Sequence, residues 1–209
     1  MRATLIGRFL LLAIIGLMVL LPLWYWAAPW LAAAPIWLAG TVMTNLFPWA
    51  DSFEQKGVMG VLHTLVQVRM KGPQGDVLGE LTPEASYPTY GYGLVLLWAM
   101  LIASRPRRWW LKGLFGSLLL VPAQAFCLCF QWLRDVVIYS GASGAAYLKY
   151  PGWANEVVVY GYQFGFLMLT PVAPILLWLM FDKQFVAALW LEAALSDKPK
   201  PARERARMD

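Results

Sequence analysis

The sequence predicts an all-α polytopic membrane protein: four transmembrane helices, an outer interfacial helix and a small extracytoplasmic β-hairpin. Three observations carry this prediction. The 209 residues are 60% apolar and only 14% charged, against about 25% charged in soluble domains. Several uncharged runs reach the ~20 residues that cross a hydrocarbon core about 30 Å thick. The basic residues are also spread unevenly over the connecting segments, which sets an orientation.

The first span is predicted at about residues 9–28, behind Arg2 and Arg8. A basic start before an apolar run can also be a signal peptide, with Ala32-Ala33-Ala34 as small residues for cleavage. The run is longer than the usual ~7–15-residue signal core. Trp24, Tyr25 and Trp26 read as an interfacial anchor. An uncleaved helix with its N-terminus inside follows.

Residues 30–47 are apolar but interrupted by Pro29 and Pro35. If they crossed, the Arg105-Pro106-Arg107-Arg108 loop would fall outside. The positive-inside rule therefore places them at the outer interface, ended by Asn45, Pro48, Asp51 and Ser52.

Residues 51–88 are the polar region of the body. Val58 to Met70 alternates, with Leu62, Thr64, Val66, Val68 and Met70 on one face and Val61, His63, Leu65, Gln67 and Arg69 on the other. That period of two predicts a half-exposed strand. Gly72-Pro73-Gln74-Gly75 is a turn signal, and residues 76–81 form the return strand of the expected hairpin.

The second span is predicted at about 90–104. The third, at about 113–135, follows a loop with four basic residues and no acid. The fourth, at about 157–181, carries Pro171 and Pro174, which should kink it. Ser140 to Trp153 reads as an outer loop. Phe185, Leu189 and Ala193 mark a short amphipathic stripe. Residues 1–197 form one membrane domain, and residues 198–209 read as a disordered cytoplasmic tail.

On this layout the inner segments carry 12 of the 17 Lys and Arg, and the outer segments five against seven acids. An inner-membrane protein with both termini in the cytoplasm shows this asymmetry. The net charge of +5 thus reports topology, and no nucleic-acid partner is expected. Twelve Trp and nine Tyr are accounted for by interfacial aromatic belts in contact with membrane lipids.

The third span holds the polar residues with the most to say. Gln124, Cys127, Gln131 and Arg134 fall on one helical face. Lipid against that face would leave amides unpaired, which is costly in hydrocarbon. Gln124, Gln131 and, on the fourth span, Gln163 are therefore expected to form a polar stripe between helices. Gln131 and Gln163 are expected to approach each other.

Arg134, Asp135 and His63 are candidate outer-face contacts for a ligand or partner. Cys127 could act as a nucleophile with His63 as base. It lies about 10 Å into hydrocarbon, however, where burial disfavours the thiolate. No catalytic residue, metal ligand set or cofactor is expected: the chain has one His and two Cys, too few to converge on a metal. No nucleotide loop, HExxH or serine elbow is present.

Tyr90-Gly91-Tyr92-Gly93 ahead of a span, Gln124 in the next, and Tyr160-Gly161-Tyr162-Gln163-Phe164-Gly165-Phe166 followed by Pro171 and Pro174 resemble the exosortase H-associated membrane proteins. The resemblance covers nearly the whole chain. It implies a bacterial inner-membrane companion of an exosortase, the multi-spanning cysteine transpeptidase that processes proteins with a C-terminal sorting tail. Exosortases place Cys, then Arg, then His along the chain. Here His63 precedes Cys127, which argues against the enzyme itself.

The resulting expectation is a non-catalytic accessory subunit that binds an exosortase-like enzyme or its substrate. A small transporter or lipid-handling protein using the glutamine stripe is the alternative. A membrane cysteine peptidase using Cys127 is a further one.

Overall fold

A computed structural model describes residues 5–72, 75–140 and 152–196. The expected tail at 198–209, most of the 140–153 loop and the centre of the 72–75 turn lie outside the described residues. Five stretches of helix matter. They are α1 (Leu5–Leu31), α2 (Ala33–Leu46), α3 (Pro88–Ser104), α4 (Trp109–Tyr139) and α5 (Gly152–Phe181), with a short α6 (Lys183–Ser196) after them. Among the described residues three helices, α1, α4 and α5, are long and apolar enough to cross a membrane; α3 is a shorter apolar helix.

Proline placement explains the helix boundaries. Pro22 and Pro29 lie inside α1. Pro35 has no N–H to bond the Leu31 carbonyl, and the helix breaks between the two, at Ala32. The bonds on either side survive: Ala32 N donates to Ala28 O and Ile36 N to Ala32 O. The expected interfacial helix at 30–47 is thus two pieces. Trp30 and Leu31 finish α1, and α2 packs against α4 and the first strand.

Helix α3 opens on Pro88, where a missing N–H costs nothing. The turn into α4 holds Arg105 and Arg108 at positive φ, 46° and 58°. Helix α5 contains a π-helical turn, Phe164–Leu169, directly before Pro171. The interruption expected of the prolines takes this form. The Thr170 hydroxyl and backbone N–H both reach the Gly165 carbonyl, five residues back.

The polar region is richer than a hairpin, and the all-α expectation is corrected to a mostly helical fold with two small sheets. Strands β1 (Ala50–Lys56), β2 (Met59–Thr64) and β5 (Glu84–Ser86) form an antiparallel sheet in the order β1-β2-β5. Strands β3 (Gln67–Gly72) and β4 (Gly75–Glu80) form a separate two-stranded ladder, closing at Gly72 opposite Gly75. This second ladder is the expected hairpin.

The single expected strand over 58–70 is split at Leu65 and Val66. There Thr64 Oγ1 donates to Leu81 O at 2.6 Å and Leu65 N donates to Trp49 O. Asp51 and Ser52, expected to end a helix, sit in β1. A two-residue loop closes β1 on β2, with Gly57 at φ 62° supplying the left-handed conformation such turns require.

The main core joins sheet and helices. It includes Trp24, Ile36, Met43, Leu62, Tyr87, Tyr90, Leu128 and Trp132. Trp24 is 8% exposed and packs beside Tyr87, whereas Tyr25 and Trp26 are about two-thirds exposed. Only the latter two remain available as the expected interfacial anchor. A second cluster at the opposite end gathers Leu97, Leu101, Leu120 and Trp178, with Phe9 stacked on Trp178 at 5.1 Å.

The sheet and the basic loop between α3 and α4 occupy opposite ends. Arg8 and Arg105 share one groove, and Arg107, Arg108 and Lys112 share another. Both lie by the second cluster, away from the strands.

Candidate functional site

Helix α4 presents its polar face to different neighbours at successive turns. Gln124 is buried at 6% exposure. It lines a small cavity of about 10 Å³ with Tyr90, Gly93, Cys127 and Thr170. That volume is on the scale of one water molecule.

One turn on, Cys127 is 2% exposed, with Thr170 Oγ1 3.8 Å from its sulfur. Gly165 makes this approach possible. A Cβ there would lie 3.1 Å from Cys127 Sγ. No imidazole, carboxylate or cation is bonded to the thiol among the described residues.

Gln131 Nε2 donates to the Glu84 carbonyl at 3.2 Å, tying α4 to the start of β5. Its Oε1 is buried without a partner. Arg134 lies 4.6 Å over the Tyr162 ring and pairs with Asp135 at 3.4 Å. Tyr162 stacks on Phe166, which meets Tyr90 edge-on. A ladder of rings thus leads from Arg134 on the sheet side to the buried Tyr90.

His63 is elsewhere. Its Nε2 is 3.3 Å from Glu54 Oε1, which also holds Lys56 at 2.5 Å. The Lys56 ammonium, helped by His63, keeps the Glu54 carboxyl below its ordinary range. His63 and Cys127 therefore each have their own partners, on the sheet and on α5.

Gln163 departs most from expectation. Gln131 is bonded to Glu84, and Gln163 is exposed with no side-chain hydrogen bond among the described residues. It sits near the middle of the 30-residue α5, immediately before the π turn. Tyr160, Phe164 and Leu167 around it are exposed as well, at 67%, 49% and 63%. Gly161 faces inward: a Cβ there would overlap the Phe130 ring. The glutamine stripe is thus divided, with Gln124 and Gln131 inside and Gln163 out.

Sequence reasoning missed Glu54, Glu84 and Tyr162. A side-chain partner such as Tyr162 leaves a signal, its aromatic ring one helical turn before Phe166. A backbone acceptor such as Glu84 O leaves none. Among the described residues no group of three His, Cys, Asp or Glu converges as a metal site.

A bundle of long apolar helices carrying small sheets at one end defines a polytopic membrane protein. The chain matches the model of the exosortase H-associated membrane protein family over residues 3–185, and it belongs to that family. No curated protein and no solved structure matches it.

Proposed function

We propose that this protein is a non-catalytic accessory subunit of a bacterial inner-membrane protein-sorting system. It spans the membrane four times with both termini in the cytoplasm. It docks an exosortase-like enzyme, or that enzyme's substrate, against the exposed face of α5. Family membership supports the association. Gln163 is the observation that carries the docking face. An amide within the spanning helix, exposed and without a side-chain hydrogen bond among the described residues, is costly against lipid tails and is satisfied by a facing helix. π turns concentrate at functional sites, and this one directly follows Gln163.

The two-ended layout supports the orientation, since the basic loop and the sheet lie at opposite ends of the bundle. Solute transport gains little support, because the cavity at Gln124 holds about 10 Å³. The membrane lipid contacts of α1 and α5 follow from their wide exposed apolar faces.

The test is co-purification from solubilised membranes together with photo-crosslinking from position 163. A bilayer amide contact contributes about 0.6 to 1.7 kcal/mol. Gln163→Leu should therefore weaken capture of the partner about 3- to 20-fold. Crosslinks from 163 should reach a membrane protein. Unchanged capture, with crosslinks to lipid alone, would remove α5 as the docking face.

Cys127→Ala separates this proposal from a peptidase. Among the described residues the thiol's one polar contact is Thr170, so the variant should retain partner capture and lose at most about 1 kcal/mol of stability. Loss of all function with normal accumulation in the membrane would favour the cysteine peptidase instead.

A further inference from the structure

We infer that the groove between α4 and the end of α5 is a binding site for an anionic glycerophospholipid. The phosphate is held by Arg107, Arg108 and Lys112, and an acyl chain lies along α4. The groove is an open surface depression of about 560 Å³, lined by Arg107, Arg108, Leu111, Lys112, Phe115 and Phe181. Three lining residues are cationic, three are apolar, and none is acidic. That division matches an amphiphile with a negative head and a hydrocarbon tail.

The cations are not neutralised by their surroundings. Arg107 and Arg108 are exposed and form no ion pair among the described residues. Lys112 donates to the Phe181 carbonyl, which uses one of the three ammonium hydrogens and leaves the charge uncompensated. Helix α4 begins without a side-chain cap and without an acid in its first turn. Its free N–H groups add positive potential beside the same three side chains.

The apolar wall continues in the direction a tail would take. Leu111, Phe115 and Leu118 are spaced i, i+4 and i+7 and share one helical face. They are 41%, 55% and 66% exposed. Trp109 and Trp110, 36% and 51% exposed at the start of α4, are the residues that sit at headgroup level. The groove thus opens where phosphates are found, and its apolar track leads away from that level into hydrocarbon. Basic pockets between spanning helices recognise anionic headgroups by this chemistry. The site involves neither Gln163 nor the sheet, and it stands independently of the partner proposed above.

The test uses the full-length protein purified in a non-ionic detergent, with native mass spectrometry and titration of short-chain phosphatidylglycerol against short-chain phosphatidylcholine. Each basic residue near an anionic head contributes about fivefold. Wild type should bind phosphatidylglycerol at least about tenfold more tightly than phosphatidylcholine. The double variant Arg107→Gln/Arg108→Asn should lose about 25-fold of phosphatidylglycerol affinity; asparagine is chosen at 108 because it tolerates positive φ.

If that variant misfolds, a photoactivatable phosphatidylglycerol on the wild type gives the answer, with crosslinks expected between residues 107 and 118. Equal binding of the two lipids would overturn the proposal. So would displacement by inorganic phosphate alone, which would mark a free-anion site. Crosslinks confined to the smaller groove of Arg8 and Arg105 would overturn it as well.

Discussion

Trp132→Ala is expected to release the three-stranded sheet from the helices and to lower stability by about 3–5 kcal/mol. Trp132 is fully buried on α4. Its indole N–H donates to the Gly60 carbonyl at 3.0 Å. The ring reaches the strand because Gly60 has no side chain. A Cβ there would lie 2.9 Å from Trp132 Cζ2 and 3.2 Å from Ile36. The indole therefore fills the space where α2, α4 and β2 meet.

Truncation leaves a cavity lined by three elements that cannot all collapse at once, so the cost falls at the high end for a core residue. A chain of this size loses roughly 2–4 °C per kcal/mol. The melting temperature in detergent should fall by about 10 °C, and limited proteolysis should cut first between residues 50 and 86. Trp132→Phe keeps most of the burial and loses the N–H, and should cost about 1–2 kcal/mol. If the alanine variant matched wild type in both melting and proteolysis, the sheet would not be anchored by this contact.

The parts legible in the sequence are those encoded by long-range composition. Uncharged runs marked α1, α4 and α5, because nothing except a bilayer-length helix uses so many apolar residues in a row. The turn at Gly72 to Gly75 was legible from its residue types. Strand β1 was not. Ala50–Lys56 reads ADSFEQK, with little β propensity and no alternation. It becomes a strand because Gly57 folds it onto β2, which supplies the pairing. The split of the 58–70 strand was hidden for a similar reason. It depends on Thr64 bonding the Leu81 carbonyl seventeen residues away.

The candidate site was half legible. Periodicity groups Gln124, Cys127, Gln131 and Arg134 on one face of α4. It could not say how α5 is rotated against that face. Five- and six-residue spacing in the π turn shifts the register after Gln163, so no helical wheel drawn through 157–181 gives the right faces. Gln163 lies ahead of that shift; the expected Gln131–Gln163 contact is absent among the described residues because Gln131 bonds the Glu84 carbonyl and Gln163 faces outward.

The second large effect is at Gly93. Pro174 has no N–H, so the Thr170 carbonyl in α5 loses its usual helical donor. That carbonyl lies against Gly93 of α3. A Cβ on residue 93 would sit 2.8 Å from Thr170 O and 3.4 Å from Pro174 Cγ. The obstacle is backbone, which cannot rotate aside as a side chain can. Small residues at helix contacts allow this approach in membranes, and here only glycine does.

Gly93→Val must therefore push α3 away from α5. The expected cost is about 1–3 kcal/mol from overpacking. Gly93 also lines the cavity beside Cys127, so parting the helices should expose the thiol. In a Cys129→Ala background, a membrane-permeant maleimide should label Cys127 at least several-fold faster in the valine variant than in its parent. Gly152→Ala is the control. A Cβ there meets nothing within 4 Å, and the change should stay within about 0.5 kcal/mol. If Gly93→Val left both melting and Cys127 labelling at the parental values, α3 and α5 would not be in the close contact that Gly93 allows.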